Sequence, residues 1–249
     1  MTEPRKDTWI ILGASSSIAR AFIRRLAAQG HALILTGRDT DDLARLAADC
    51  SARGARSVTR VPIDARNAAT FAPVLNHASA QEGQLSCAVF LGSMPDQSEI
   101  DADPSLIEGV IADSFTGAAT FLQGLAPLME ARGGGTIVGV GSVAGDRGRL
   151  GNYVYGAAKA GFATYLSGLR NRLGRSGVHV MTVKPGPVDT AMTWGLGKQP
   201  FMTTPEAVAD DILKGLAKKR NVLYTAGIWR FVMFAIRAIP EPIFKKMSI

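Results

Sequence analysis

Short apolar runs alternate along the chain with longer segments in which apolar residues recur every three or four positions. Uninterrupted apolar runs are typical of buried β-strands, whereas the longer periodicity is typical of amphipathic helices. The runs predict seven strands, at residues 8–12, 32–36, 57–63, 87–91, 136–140, 179–183 and 221–225. The periodicity predicts helices between them, in a segment that ends at Gly30 and at residues 41–53, 68–81, 110–131 and 153–175.

This alternation of strands and helices predicts an α/β fold. Strands without a polar face must be covered on both sides, and right-handed crossovers place helices on both faces of a parallel sheet. The expected fold is therefore a doubly wound parallel sheet of seven strands, folded as a single domain over residues 1–249.

The turn after the first predicted strand is a candidate phosphate-binding turn, because residues 13–19 read Gly-Ala-Ser-Ser-Ser-Ile-Ala and lead directly into a helix. Backbone N–H groups at a helix N-terminus favour a pyrophosphate, and small side chains let it approach closely. The candidate contacts are Gly13, Ser15, Ser16, Ser17 and Ile18. With one glycine, the segment fits an ordinary strand–helix turn capped by serine equally well.

The end of the second strand indicates which dinucleotide would bind. NAD-binding folds of this type place a carboxylate there for the ribose 2′-hydroxyl, but this chain has Gly37 and Arg38. A guanidinium suits a 2′-phosphate, so the sequence favours NADP(H) over NAD(H); the alternative is a solvated surface arginine. Asp64, after the third strand, either accepts from the adenine amino group or caps the next helix.

Ser142, Tyr155 and Lys159 form a candidate catalytic group. Ser142 follows the fifth strand, and Tyr155 and Lys159 are four residues apart, so they share one face of the next helix. The phenol would donate a proton to a carbonyl oxygen as hydride arrives, and the ammonium would lower the pKa of that phenol and bond the nicotinamide ribose. Ser142 would stabilise charge on the same oxygen. The alternative is a structural tyrosine and a surface lysine on this helix. That alternative does not explain why a serine follows the neighbouring strand.

After the sixth strand, two prolines fix a non-helical loop at residues 184–190. The backbone of Val188 and the hydroxyl of Thr190 are candidates for holding the nicotinamide carboxamide, and Pro185 and Gly186 complete this stretch. A rigid turn without a ligand also explains the loop. The two cysteines form no metal-like pattern with the three histidines, so no metal site is predicted.

Together these residues resemble the short-chain dehydrogenase/reductase family over essentially the whole chain. The resemblance is carried by residues 13–19 and 185–190 together with Arg38, Asp64, Ser142, Tyr155 and Lys159. It implies a Rossmann-like seven-stranded sheet and hydride transfer with NAD(P). It also implies a homodimer or homotetramer built on the two long helices.

The chain departs from the family pattern in three segments. Ser17 and Ala19 replace glycines of the nucleotide turn. The family's Asn-Asn-Ala-Gly stretch retains only Gly92, a further candidate cofactor contact. Ser114 aligns with a family asparagine that supports a water in the proton relay, which leaves the form of that relay open.

Residues from about 226 to 249 form an apolar and basic tail, which resembles that of the reductases acting on polyprenylphosphoryl 2-keto-pentoses. Arg230 and Arg237 share one face of a predicted helix whose other faces are apolar. Such a helix suits a membrane interface or a lipid-binding groove, and it suits burial in an oligomer interface equally well.

Composition and charge limit the partners and the cellular location that can be expected for this protein. The net charge is +7, but the basic residues are spread along the chain without an aromatic-basic signature, so no nucleic-acid partner is expected. The N-terminus lacks the apolar run of a secretory signal, and no run of about 18 apolar residues exists. Cys50 and Cys87 are expected to be buried thiols in a reducing compartment. We expect a cytoplasmic protein, with peripheral membrane contact through the tail.

The expected activity is hydride transfer between a nicotinamide cofactor and a ketone or secondary alcohol. The tail favours a lipid-linked keto-sugar as substrate, and an acyl thioester or a small alcohol is the alternative within the same enzyme class. A non-catalytic NADP-sensing module is the alternative outside it. The substrate pocket is expected to draw on residues 93–101, 147–152 and 192–203.

Overall fold

The computed structural model describes residues 7–196 and 199–247. Most of the N-terminal stretch considered for a secretory signal, and residues 197–198 of the third predicted pocket loop, lie outside these ranges. Seven parallel strands form one sheet in the order β3-β2-β1-β4-β5-β6-β7. They are β1 (Thr8–Leu12), β2 (Ala32–Gly37), β3 (Ser57–Pro62), β4 (Leu85–Val89), β5 (Thr136–Val140), β6 (His179–Pro185) and β7 (Val222–Thr225). The doubly wound, Rossmann-like sheet predicted from the sequence is confirmed.

Ten α-helices lie in the described part of the chain, and short 3₁₀ turns connect some of them to the strands. They are α1 (Ser17–Ala28), α2 (Thr40–Ala52), α3 (Ala72–Ser79), α4 (Gln97–Ala102), α5 (Leu106–Ile111), α6 (Gly117–Arg132), α7 (Tyr153–Gly174), α8 (Pro205–Ala217), α9 (Trp229–Ala238) and α10 (Glu241–Phe244).

The alternation of side chains along each strand produces two separate cores. On β1, Ile11 faces the core formed with α1, α2 and α8, whereas Ile10 and Leu12 face the core formed with α3, α6 and α7. A strand that is apolar at every position therefore buries both of its faces. Cys50 and Cys87 are buried free thiols, one in each core, as expected.

The fourth strand begins two residues earlier than its apolar run predicts, so the range 87–91 is wrong. β4 includes Ser86, whose hydroxyl donates to Asp7 at 3.1 Å and accepts from the Thr136 amide at 3.1 Å. These bonds satisfy the buried hydroxyl, so a polar residue occupies the strand without penalty. Phe90 and Leu91 leave the strand and turn toward the ligand edge of the sheet.

The helix predicted at 110–131 is helical throughout, but it contains a π-helical turn (Ala112–Thr116) at which α5 joins α6. A π turn widens the helix by one residue and is frequent at functional sites. Gly117 follows it in close contact with the chain after β3, since a Cβ there would lie 2.2 Å from the Ala65 carbonyl oxygen. The turn places Ser114, which is 1% exposed, beneath the ligand edge.

Other helix boundaries follow local signals. Pro73 lies in the first turn of α3, and a separate 3₁₀ turn (Ala68–Thr70) precedes that helix, so the predicted helix at 68–81 is divided. The helix α8 was not predicted, although Thr204 caps it by accepting from the Ala207 amide and Pro205 occupies its first turn. That pairing of a capping threonine with proline is a recognisable start signal.

Candidate active site

One cavity of about 460 Å³ opens where the parallel strands end at their carboxyl termini. This is the edge at which open α/β sheets bind ligands. Every site residue singled out in the sequence lines it, namely Gly13, Ser15, Ser16, Ser17, Ile18, Arg38, Asp64, Gly92, Ser142, Tyr155, Lys159, Pro185, Gly186, Val188 and Thr190. From the three predicted pocket loops, the described lining residues are Ser93, Met94, Arg149, Asn152, Met192, Thr193 and Gln199.

The turn between β1 and α1 has a backbone that only glycine adopts easily. Gly13 has φ of +78°, and a Cβ there would lie 3.2 Å from the Phe90 carbonyl. The side chain of Ser16, the N-cap residue, makes no capping hydrogen bond, so the expected serine cap is not formed. A backbone bond from the Ser16 amide to the Gly13 carbonyl at 3.1 Å closes the turn instead. Arg20, which sequence reasoning missed, supports it by donating to the Ser15 carbonyl at 3.2 Å.

Arg38 and Asp64 both line the cavity, in the region where the sequence predicts that the adenine would bind. Arg38 is exposed at the rim. Asp64 accepts from the Arg66 amide at 2.9 Å, so its carboxylate stabilises the local turn while lining the cavity. Asp39, the nearest following carboxylate, accepts from the Asp42 amide at 2.9 Å and caps α2.

Asp113 is a lining residue that the sequence analysis missed. Arg66 donates to both of its carboxylate oxygens, at 2.9 and 2.8 Å. Burial by itself would raise the pKa of Asp113, but the hydrogen bonds from Arg66 and the charges of Arg66 and Arg38 hold that pKa below its usual range. An anionic carboxylate therefore remains in the cavity wall at neutral pH.

Tyr155 and Lys159 lie on one face of α7 and are both buried. The Lys159 ammonium donates to the carbonyl oxygens of Leu91 at 2.9 Å and Val140 at 3.1 Å, which lie just beyond β4 and at the end of β5. Its Nζ lies 5.8 Å from the centroid of the Tyr155 ring. Ser142, two residues after β5, accepts from the Ala144 amide at 3.1 Å, and its hydroxyl is near enough to Tyr155 to lower the pKa of that phenol.

Burial dominates the protonation of this group. It raises the pKa of Tyr155 to about 12, an increase that the nearby hydroxyl of Ser142 only partly offsets, and it lowers the pKa of Lys159 to about 8. Desolvation therefore sets the direction of the Tyr155 pKa in this structure, and Lys159 is not among the groups that lower it. At neutral pH the phenol keeps its proton and most of the lysine is charged, as a proton donor requires.

Ser114 lies close to this group. Its hydroxyl donates to the Ser93 carbonyl and accepts from the Ser93 amide, both at 3.3 Å. A Cβ on Gly92 would lie 3.1 Å from Lys159 Nζ and 3.5 Å from Ser114 Oγ, so these side chains flank the glycine. Ser114 is thus tied to the chain after β4, in the region where the family asparagine is expected.

A buried carboxylate supports the segment that follows Ser142. Asp146, whose side chain is 2% exposed, accepts from the Lys184 ammonium and from the Tyr224 hydroxyl at 2.7 Å. This network joins the chain after β5 to β6 and β7. Sequence analysis missed it, because Asp146 and Tyr224 are 78 positions apart.

The C-terminal tail is attached to the same segment. Arg147 donates to the carbonyls of Ile236 and Ile239, at 2.6 and 2.7 Å, and thereby holds the end of α9. Trp229 packs against Gly186, where a Cβ would come within 2.0 Å of the indole nitrogen. The described helices include none that is long and apolar enough to cross a bilayer, and the described side chains include no cluster that could hold a metal ion.

Comparison with known proteins identifies relatives over most of the chain. Residues 7–200 match the family model for short chain dehydrogenases. An uncharacterised oxidoreductase of Mycobacterium tuberculosis is 34% identical over 96% of each chain, and a ketoacyl reductase of Nostoc is 27% identical over 88% of this chain and 78% of its own. A short-chain dehydrogenase from Sphingobium yanoikuyae, solved in complex with NADPH, superposes with a TM-score of 0.81 at 26% identity, covering 94% of this chain and 97% of its own.

Proposed function

We propose that this chain, which belongs to the short-chain dehydrogenase family and is an NAD(P)-dependent oxidoreductase, reduces a ketone with NADPH and uses Tyr155 as the proton donor. The observation that carries the proposal is the buried phenol of Tyr155. It shares a helix face with a buried ammonium, and it lies with Ser142 in the cavity that contains the nucleotide turn.

The cavity fits a dinucleotide. Gly13 leaves open the space that a Cβ would fill, and the N-terminus of α1, without a side-chain cap, meets the cavity at Ser16 and Ser17. A helix N-terminus of this kind favours a pyrophosphate. The backbone of Val188 and the hydroxyl of Thr190 would hold the carboxamide at the other end. When bound, the nicotinamide supplies the hydride.

Each catalytic side chain has a separate task in this proposal. Ser142 donates a hydrogen bond to the substrate carbonyl oxygen and orients it. Tyr155 transfers its phenolic proton to that oxygen as the carbonyl carbon gains a hydrogen, so the C=O group becomes an alcohol and the cofactor is oxidised. Lys159 bonds the nicotinamide ribose, and its positive charge stabilises the phenolate that remains.

The preference for NADP(H) rests on the end of β2. Gly37 offers no carboxylate to a ribose 2′-hydroxyl, and the carboxylate of Asp39 is used to cap α2. The exposed guanidinium of Arg38 is available at the rim for a 2′-phosphate. The Sphingobium relative was solved in complex with NADPH, which also supports this preference.

The leading substrate is a lipid-linked keto-sugar. The side chains of Phe231 and Phe234 on α9 are 74% and 77% exposed, although Trp229 and Met233 on the same helix are buried. Four basic residues accompany them, namely Arg230, Arg237, Lys245 and Lys246, whereas the single acidic residue of the tail, Glu241, pairs with Arg147. Aromatic side chains beside basic ones suit the surface of an anionic bilayer.

A 3-oxoacyl thioester is the second candidate substrate, favoured by the resemblance to the ketoacyl reductase of Nostoc. The assembly that we propose is a homodimer or homotetramer through α6 and α7. The exposed face of α9 would then remain outside that interface, where it can meet a membrane.

Arg38→Gln should weaken NADPH binding by about ten- to a hundredfold, because a charge-assisted hydrogen bond is lost, and should leave NADH binding nearly unchanged. Titration of each nucleotide, followed by nicotinamide fluorescence, measures both dissociation constants. Arg60→Gln, on an exposed arginine of β3 that does not line the cavity, is the control and should bind both as the wild type does. Equal affinity of the wild type for NADH and NADPH would remove the preference.

Tyr155→Phe should lower NADPH-dependent ketone reduction by at least about a hundredfold while NADPH still binds, because the proton donor is removed. A panel of ketones assayed by NADPH absorbance tests this. Tyr165→Phe changes another tyrosine of α7, one whose hydroxyl donates to the Ala119 carbonyl at 3.1 Å, and should keep full turnover. Normal turnover by Tyr155→Phe would exclude this residue as the donor.

The pH profile of kcat/KM for reduction should fall as pH rises through about 8. Lys159 loses its charge there, whereas Tyr155, with a pKa of about 12, keeps its proton throughout. The rate should be highest below that pH, where the lysine is an ammonium. Lys159→Met should show a low rate without this fall between pH 7 and 9; an unchanged fall in that variant would assign it to another group.

Replacing both exposed phenylalanines, as Phe231→Ser with Phe234→Ser, should reduce binding to phosphatidylglycerol vesicles at least tenfold, roughly the effect of withdrawing one buried aromatic side chain. Vesicle sedimentation measures the binding. Leu150→Ser, at an exposed leucine outside the tail, is the matched control. Unchanged sedimentation would contradict membrane contact, and loss of the oligomer instead would assign α9 to a subunit interface.

A further inference from the structure

Arg149 lines the cavity, and no hydrogen bond joins its guanidinium to the part of the chain that the structure describes. It lines the cavity in the segment between Ser142 and α7 and is half-buried. Its Nε is buried and lacks a hydrogen-bond partner among the described residues. Burial lowers the pKa of Arg149 from its ordinary value, although a guanidinium stays charged in proteins. Such a group is costly to bury unless an anion or hydrogen-bond acceptor pairs with it.

The neighbouring carboxylate is already used elsewhere. Asp146 is the one acidic group whose charge acts on Arg149. Its oxygens accept from the Lys184 ammonium and from the Tyr224 hydroxyl, one from each. Because Lys184 neutralises that carboxylate, Arg149 retains a positive charge that an external anion can balance.

Asn152 adds an acceptor in the same wall. It is the N-cap residue of α7, where asparagine ordinarily accepts from a backbone amide of the first turn, yet its side chain makes no such bond. Its Oδ1 is buried without a partner among the described residues, and Asn152 lines the cavity. The backbone links the two residues, because the Asn152 amide donates to the Arg149 carbonyl at 3.2 Å.

Arg149 and Asn152 lie on the side of the cavity where the carbonyl substrate would bind. Asn152 precedes Tyr155 by three residues, so the pair lies on the catalytic side of the cavity. The acidic residues among the described lining are Asp64 and Asp113, and both are at the adenine end. No carboxylate of the described lining therefore competes for Arg149.

We infer that Arg149 and Asn152 form a subsite that binds a singly charged oxyanion of the carbonyl substrate, a carboxylate or a phosphodiester, beside the reducible carbonyl. Arg149 donates to the oxyanion, and Asn152 binds an adjacent hydroxyl. The inference rests on the proposed ketone reduction, and it adds a substrate requirement that the family chemistry does not supply.

Two matched pairs of ketones test the subsite with the full-length protein and NADPH. One pair is 4-oxopentanoate and its methyl ester, and the other is 2-oxopropyl methyl phosphate and its neutral dimethyl triester. For each compound, we would measure kcat/KM and, separately, binding to the NADPH complex from the change in nicotinamide fluorescence. The binding measurement does not require turnover. The variants are Arg149→Met, Arg149→Lys and, as a control on an exposed arginine away from the cavity, Arg175→Met.

The wild type and Arg175→Met should prefer the anionic member of at least one pair by about ten- to a hundredfold, the range expected for a charge-assisted bond. The responding pair identifies the oxyanion. Arg149→Met should lose that preference while treating the neutral member nearly as before, and Arg149→Lys should recover part of it. A thermal melt close to that of the wild type shows that Arg149→Met is folded.

The same preference in Arg149→Met, or equal treatment of anionic and neutral ligands by the wild type, would overturn the subsite. Selective binding of the anionic ligands that Arg149→Met loses, without turnover of any ketone, would support the subsite and contradict the proposed reductase. The two failures are therefore distinguishable.

Discussion

The ammonium of Lys159 is the group on which the site depends. A charge that is 3% exposed would be prohibitively costly without partners, and its partners are the carbonyls of Leu91 and Val140. These carbonyls lie where the neighbouring parallel strands β4 and β5 end. The ends of the two strands therefore supply the hydrogen-bond acceptors that hold the lysine. One turn earlier on α7, Tyr155 is thereby fixed beside Ser142. The position of Lys159 also requires a glycine at residue 92, since a side chain there would crowd the ammonium.

The chain after the sixth and seventh strands completes this arrangement. Asp146 ties the Ser142 segment to Lys184 and Tyr224, and Arg147 ties it to the end of α9. The C-terminal tail is consequently packed against the segment that carries Ser142 and against Gly186. The described lining of the cavity contains Arg38, Asp64 and Asp113 from the first half of the chain, and Arg149 and Lys159 from the segment around Tyr155.

Much of the fold could be predicted because its signals are local. β1 and β5 are short apolar runs with clear ends, and the candidate contacts directly follow strand ends, so the topology gathers them at one edge. β4 was misplaced because Ser86 is polar yet satisfied by hydrogen bonds. The division of the helix at 112–116 depends on the close approach of Gly117 to Ala65, which no local pattern records.

The charges of the site were harder to predict than its position. The pKa of Tyr155 follows from how deeply α7 packs, and the pairing of Asp146 or the lack of a partner for Arg149 depends on side chains that meet only in the folded chain. The spacing of residues along the sequence indicates which side chains share the cavity. Their protonation states depend on desolvation, which only the folded structure shows.

A crystal structure of the protein with NADP⁺ tests the account most directly. The account predicts the pyrophosphate against Gly13 and the start of α1, the 2′-phosphate at Arg38, and the nicotinamide ribose within hydrogen-bond distance of Lys159 and Tyr155. The nicotinamide face would then lie open toward Ser142 and Arg149. A dinucleotide bound elsewhere, or one whose nicotinamide lies away from Tyr155, would contradict it.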